Sequence, residues 1–175
     1  MKENRKQKTL KNVKTLAISA MLTALGVVIG TVCKTFFDFG GVFRITFENL
    51  PIIMAGILYG PIIGGLVAIA VDVISALVAG QGPLIFVMIG SMSVGIISGI
   101  VSKYIVRKKG VLQIISSAAS AHIVGSMIIK PIALFSIYQW AVLFRIPIYL
   151  MIAPVEILLL CVLFKNKLFS RVVDY

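Results

Sequence analysis

Outside three basic clusters, charged side chains in this chain are few, and most of them interrupt long apolar runs: Lys34, Arg44, Glu48, Asp72, Lys130, Arg145 and Glu156, joined by the single histidine, His122. Ionisable groups in apolar segments are costly to bury and tend to have a function. His122, Ser126 and Lys130 follow one another at four-residue steps, which places them on one helical face. Arg145, Tyr149 and Glu156 project to a similar side of the last apolar segment. Between Lys34 and Phe47, the cations Lys34 and Arg44 alternate with Phe36, Phe37, Phe39, Phe43 and Phe47 around a Gly40-Gly41 hinge. Rings stack on planar heterocycles and guanidinium groups fork onto carboxylates, so this loop suits a lid over a flat, anionic ligand. Blander readings stand beside these. Lys130 and Arg145 can snorkel to headgroups, and Asp72 can pair with one of them. His122 can be a packing residue, Glu156 can hold a structural hydrogen bond, and the loop rings can rest at the membrane interface.

The chemistry of catalysis is missing. No G-x-x-x-x-G-K-[ST], H-E-x-x-H or G-x-S-x-G run occurs, and one His with two distant Cys does not make a metal site. We expect a binder that is not an enzyme and uses neither metal nor cofactor. The rivals from another class are an intramembrane enzyme and a stand-alone secondary transporter; the latter often shows an inverted repeat, and none is evident. Cys33 and Cys161 are expected at opposite membrane faces, too far apart for a disulfide.

The elements that must position these groups are membrane spans. The chain is 59% hydrophobic and 13% charged, with mean hydropathy +1.07. Thirteen of its seventeen Lys and Arg fall in Lys2 to Lys14, Lys103 to Lys109 and Lys165 to Arg171. Bases flanking spans mark the cytoplasmic side, which explains the high pI without nucleic acid. Leu16 to Cys33 reads as an uncleaved first span. Gly60-Pro61 and Gly80-Gln81-Gly82-Pro83 divide the next apolar stretch into about Glu48 to Tyr59, Pro61 to Ala79 and Leu84 to Tyr104. Spans at about Val111 to Ile129 and Trp140 to Phe164 follow. Returning the Lys103 to Lys109 cluster to the side of the N-terminus requires an even number of crossings before it. The expectation is therefore an all-α membrane protein, a single-domain bundle of six transmembrane helices with both termini cytoplasmic. In it, 1–14 is a basic cytoplasmic segment, 34–47 an outer lid loop, 105–110 a cytoplasmic loop and 165–175 a cytoplasmic tail. The second span is anomalous: its twelve residues reach only about 18 Å, against roughly 30 Å of hydrocarbon.

Small residues recur at four-residue steps at Ala20 and Ala24, at Gly56, Gly60 and Gly64, and at Ser91, Gly95 and Gly99. Lipid supplies no hydrophobic drive between helices, so such stripes mark close packing, within the bundle or against a partner.

The run Arg44-Ile45-Thr46-Phe47-Glu48-Asn49-Leu50-Pro51, followed by Gly56 to Gly65 with its Gly60-Pro61 step and then by Asp72, resembles the S components of energy-coupling-factor vitamin importers, most closely the folate group. The resemblance covers nearly the whole chain. It implies a multi-pass protein of a bacterial plasma membrane that captures a vitamin from outside. It also implies two kinds of partner, a transmembrane scaffold (T) subunit and two cytoplasmic ATPases. The outer-side cations favour a carboxylate-bearing vitamin, folate first and pantothenate as the alternative. Ligand contacts are expected from Lys34, Phe39, Arg44, Phe47, Glu48, Asp72, Phe86, His122, Lys130, Arg145 and Tyr149. Docking on the scaffold is expected from Ala17, Ala20 and Ala24.

Overall fold

The computed structural model describes residues 2–39, 43–80, 82, 84–106, 110–140 and 145–166. Long apolar runs without interior Gly-Pro breaks become long helices: α1 (Lys2–Phe36), α3 (Pro61–Val78), α4 (Ile85–Ile100), α5 (Val111–Ser120) and α7 (Arg145–Lys165). Between α1 and α3 lie a minimal hairpin, β1 (Asp38–Phe39) antiparallel to β2 (Phe43–Arg44), and the short helix α2 (Asn49–Tyr59). The α5 rod continues through a π-helical stretch, Ala121–Ile129, into α6 (Lys130–Tyr138), and α4 ends in a shorter π stretch, Val101–Ile105. Among the described residues the helices thus form six rods, in the order expected from sequence. Five of them carry stretches long and apolar enough to cross a membrane.

The anomalous second rod is explained by where it lies. Every residue from Asn49 to Ile57 is buried, so α2 has no face left for lipid. Helices α1, α3, α4, α5 and α7 all contact it. An all-round apolar helix belongs in an interior. Enclosed by its neighbours, α2 is freed from the length that a lipid-facing span requires.

Glycine makes that enclosure possible. A Cβ on Gly95 would stand 2.2 Å from the Gly64 carbonyl oxygen, and one on Gly64 would meet the Cα of Gly56 at 2.8 Å. A Cβ on Gly99 would press on the Gly60-Pro61 backbone. The stripes on α2, α3 and α4 therefore face one another inside the bundle, where backbones touch. Gly60 turns the chain between α2 and α3 at φ 92°, a conformation that suits glycine, and Pro61 opens α3 where no N–H partner is needed.

Three boundaries differ from the sequence expectation, the first being that α1 carries Lys34 in its last turn and ends at Phe36. The fifth rod does not stop at Ile129 but runs on to Tyr138. Pro131 lies just past the junction where wide π turns give way to α geometry, and the wider turns accommodate a ring that an α-helical interior would resist. Lys130 consequently sits within the rod and is buried, which removes snorkelling as its explanation. The last helix begins at Arg145, while Trp140 is exposed and meets Phe135 edge-on at 5.6 Å.

Candidate functional site

Alternating chain direction brings the end of α1, the start of α2, the last turns of α3, the first turns of α4, the α6 segment and the first turns of α7 to one end of the bundle. Two lysines are buried there, and their surroundings differ in kind. Lys34, near the end of α1, is 3% exposed. Its Nζ lies 2.9 Å from Asp72 Oδ1 and 3.6 Å from Glu48 Oε2. It also donates to Ser75 Oγ and to the Asp72 carbonyl. Ser91 on α4 donates to the second Asp72 oxygen at 3.5 Å. Asp72 and Ser75 are three residues apart on one face of α3, so a single helix turn supplies an anion and a neutral acceptor. The residues form an ion cluster in which two carboxylates surround one lysine, so that the charge of Lys34 is compensated within the chain and α1, α2, α3 and α4 are tied together.

Lys130 is equally buried, at 3% exposure, yet no carboxylate of the described residues lies within ion-pair distance. Its Nζ donates to Asn49 Oδ1 at 3.0 Å and stands 6.0 Å from the centre of the Tyr149 ring. Both partners are neutral. The stem rests on Gly90 of α4, where a Cβ would come within 2.4 Å of Lys130 Cγ. Burying a cation without a counter-ion is expensive. The arrangement is one that an anionic group arriving from outside the chain would complete.

Deeper in the bundle, His122 Nε2 and Glu156 Oε2 approach to 2.8 Å, with both residues fully buried. The contact is of ion-pair length but lacks hydrogen-bond alignment, and Nδ1 and Oε1 also find no partner among the described residues. Lys130 and Glu48 are near enough to act electrostatically on Glu156. An apolar groove of about 530 Å³ between α5 and α7, lined partly by Leu150, Pro154 and Ile157, reaches His122 from the side.

The sequence-derived candidates thus fall into groups. Lys34, Glu48 and Asp72 come together, but around one another: among the described side chains Asp72 pairs with Lys34 and not with Lys130. Lys130 and Tyr149 meet, and His122 meets Glu156. Phe47 is half-buried at the entrance to α2, and Phe86 is 44% exposed in the first turn of α4. Phe39 and Arg44 contribute backbone to the hairpin and Arg145 begins α7, while their side chains lie outside the described atoms, as do Gly40 and Gly41 entirely. Of the basic clusters, Arg107 to Lys109 and everything from Lys167 onward also lie outside the described residues. At the other end of the molecule Ala17, Ala20 and Ala24 are exposed. Ala20 borders an apolar groove of about 460 Å³ between α1 and α3. Sequence reasoning missed Asn49 and Gly90. Asn49 lay within the motif run at a position read as a spacer, and a neutral amide gave no electrostatic signal.

No curated protein sequence matches the chain. Six solved chains match in structure. One is the crystal structure of FolT bound with folic acid, similar at TM-score 0.69 over 90% of this chain and 95% of that one, with 19% sequence identity. That likeness shows the fold. The family described as ECF transporter, substrate-specific component, matches residues 14–173. The chain is therefore a multi-pass membrane protein of transport, not an enzyme, and it belongs to the substrate-specific components of ECF transporters.

Proposed function

We propose that this S component binds folate, or a close carboxylate-bearing relative, at the bundle end that holds Lys34 and Lys130. The observation that carries the reading is Lys130: a fully buried cation whose partners are an amide oxygen and an aromatic ring. A ligand carboxylate at Nζ would supply the missing counter-charge. Tyr149 and Phe47 offer rings on which a flat ring system can stack. His122, Phe86, Arg44, Phe39 and Arg145 remain candidates for further contacts. The FolT neighbour, bound with folic acid, makes folate the first ligand to try. Pantothenate, which also has a carboxylate, is the second.

The distribution of bases supports an orientation in which this end faces outward and the Lys2 to Lys14, Lys103 to Lys109 and Lys165 to Arg171 clusters face the cytoplasm of a bacterial cell. In that orientation the chain captures its vitamin from outside and passes it inward with a transmembrane scaffold subunit and two cytoplasmic ATPases. The exposed Ala17, Ala20 and Ala24 face is the docking surface of this reading, since small residues let a partner helix approach closely. Calorimetric titration of the purified chain with folic acid, pantothenate, riboflavin, biotin and thiamine tests it. Folic acid should bind tightest. Tightest binding to cationic thiamine would overturn it.

A further inference from the structure

We propose that Asn49 is the charge-selectivity residue of the site. Its amide positions Lys130 without neutralising it, and so reserves that cation for an acidic group on the ligand. The inference rests on the reading in which Lys130 meets the ligand. It is carried by a contrast between two consecutive residues at the start of α2. Glu48 reaches Lys34, with Oε2 3.6 Å from Nζ, and adds negative charge to a cluster that already contains Asp72. Asn49 reaches the other buried lysine and accepts from its Nζ at 3.0 Å. Asparagine and aspartate have the same shape, so a carboxylate at position 49 would fit the space and reproduce the contact. It would also cancel the charge on Lys130.

The other half of the amide strengthens the assignment. Lysine only donates, so the side chain must turn Oδ1 toward Nζ and carry Nδ2 away from it. Asn49 is 0% exposed, and Nδ2 has no acceptor among the described residues. A buried N–H without an acceptor is costly. A carboxylate oxygen next to Lys130 is the acceptor that would satisfy it. Asn49 thus offers one neutral acceptor to the lysine and one donor to the same incoming anion. Aspartate would reverse both contributions, filling the cation's vacancy for negative charge and presenting an acceptor where the ligand needs a donor.

The test compares acid with amide. Full-length wild type, Asn49→Asp, Asn49→Ala and Lys130→Gln are purified in one detergent. Each is titrated calorimetrically with folic acid and with its diamide, in which both carboxylates are neutral. Wild type should prefer the acid by roughly 10- to 100-fold, the worth of a charge-assisted contact. Asn49→Ala should bind more weakly yet keep an acid preference, because Lys130 stays charged. Asn49→Asp should lose the preference, chiefly through weaker binding of the acid. An Asn49→Asp protein that prefers the acid as wild type does would sink the proposal, and so would an Asn49→Ala protein that has no preference. If the aspartate variant does not fold, the alanine arm decides by the same criterion. Lys130→Gln separates the two levels of inference. A preference retained in that variant refutes the binding role of Lys130, whereas a preference lost there but kept in Asn49→Asp refutes only the role of Asn49.

Discussion

Lys34 and Lys130 lie at the same end of the bundle and are equally buried, but their surroundings have opposite logic. Lys34 is held by Asp72 and Glu48, with Ser75 filling the remaining acceptor position. Lys130 is held by an amide and faced by a ring. The first lysine stabilises the ligand-free protein, because its charge is compensated within the chain. The second has no counter-ion in contact among the described residues, although Glu156 is near enough to feel its charge, and in the proposed reading an arriving anion supplies the direct one. Burial alone therefore does not mark a binding residue in a membrane bundle. In the proposed reading, what marks it is burial without a counter-ion in contact.

Breaking the closed cluster should have the largest effect. Asp72→Ala leaves Lys34 with the more distant Glu48 as its counter-ion among the described residues, and removing one partner of a buried pair costs about 3–5 kcal/mol. Unfolding of the variant in detergent should therefore begin at markedly lower temperature than for wild type, with or without ligand. Next in size is the open site. Lys130→Gln should weaken folic acid binding by about 1.5–3 kcal/mol, read by calorimetry, because it removes a charged donor from the ligand and no counter-ion from the protein.

A third substitution separates stability from binding at a place in α4 that touches neither lysine. Gly95→Ala drives a methyl group into the Gly64 backbone, and overpacking of this kind costs about 1–3 kcal/mol. Its melting temperature should fall while the affinity of the folded protein is retained. The smallest effect on binding is expected at the exposed face of α1. Ala20→Trp with Ala24→Trp should leave calorimetric affinity within about 0.5 kcal/mol of wild type, as is usual for surface changes away from a site. The same double variant should abolish vitamin uptake in cells that express the scaffold and ATPase subunits. Joint loss of binding and uptake would place that face inside the bundle, and normal uptake would move the docking surface elsewhere.

The sequence made the six rods legible because membrane spans are announced by unbroken apolar runs, and Gly60-Pro61 and the Gly80 to Pro83 stretch mark where those runs must turn. It also exposed the glycine stripes, though not which helices they join. Pairing was harder. Lys34 and Asp72 are 38 positions apart, and nothing in either helix fixes their relative depth until α2 is known to be short and enclosed. The continuation past Pro131 depends on π turns that have no sequence signature of their own. Asn49 was passed over because a residue that matters by being uncharged is hard to distinguish from one that does not matter at all.

The central claim, that one lysine belongs to the fold and the other to the ligand, is tested most directly by melting Lys34→Met and Lys130→Met beside wild type, each with and without saturating folic acid. Lys34→Met should melt well below wild type, since it removes the buried counter-ion of Asp72 and one partner of Glu48. Lys130→Met should melt at the wild-type temperature or above it without ligand, because an uncompensated buried cation has been removed. Folic acid should raise the melting temperature of wild type by binding the native state, and this gain should be clearly smaller in Lys130→Met at the same ligand concentration. If Lys130→Met is destabilised as much as Lys34→Met, or if folic acid stabilises it as fully as wild type, the distinction between the two lysines is wrong.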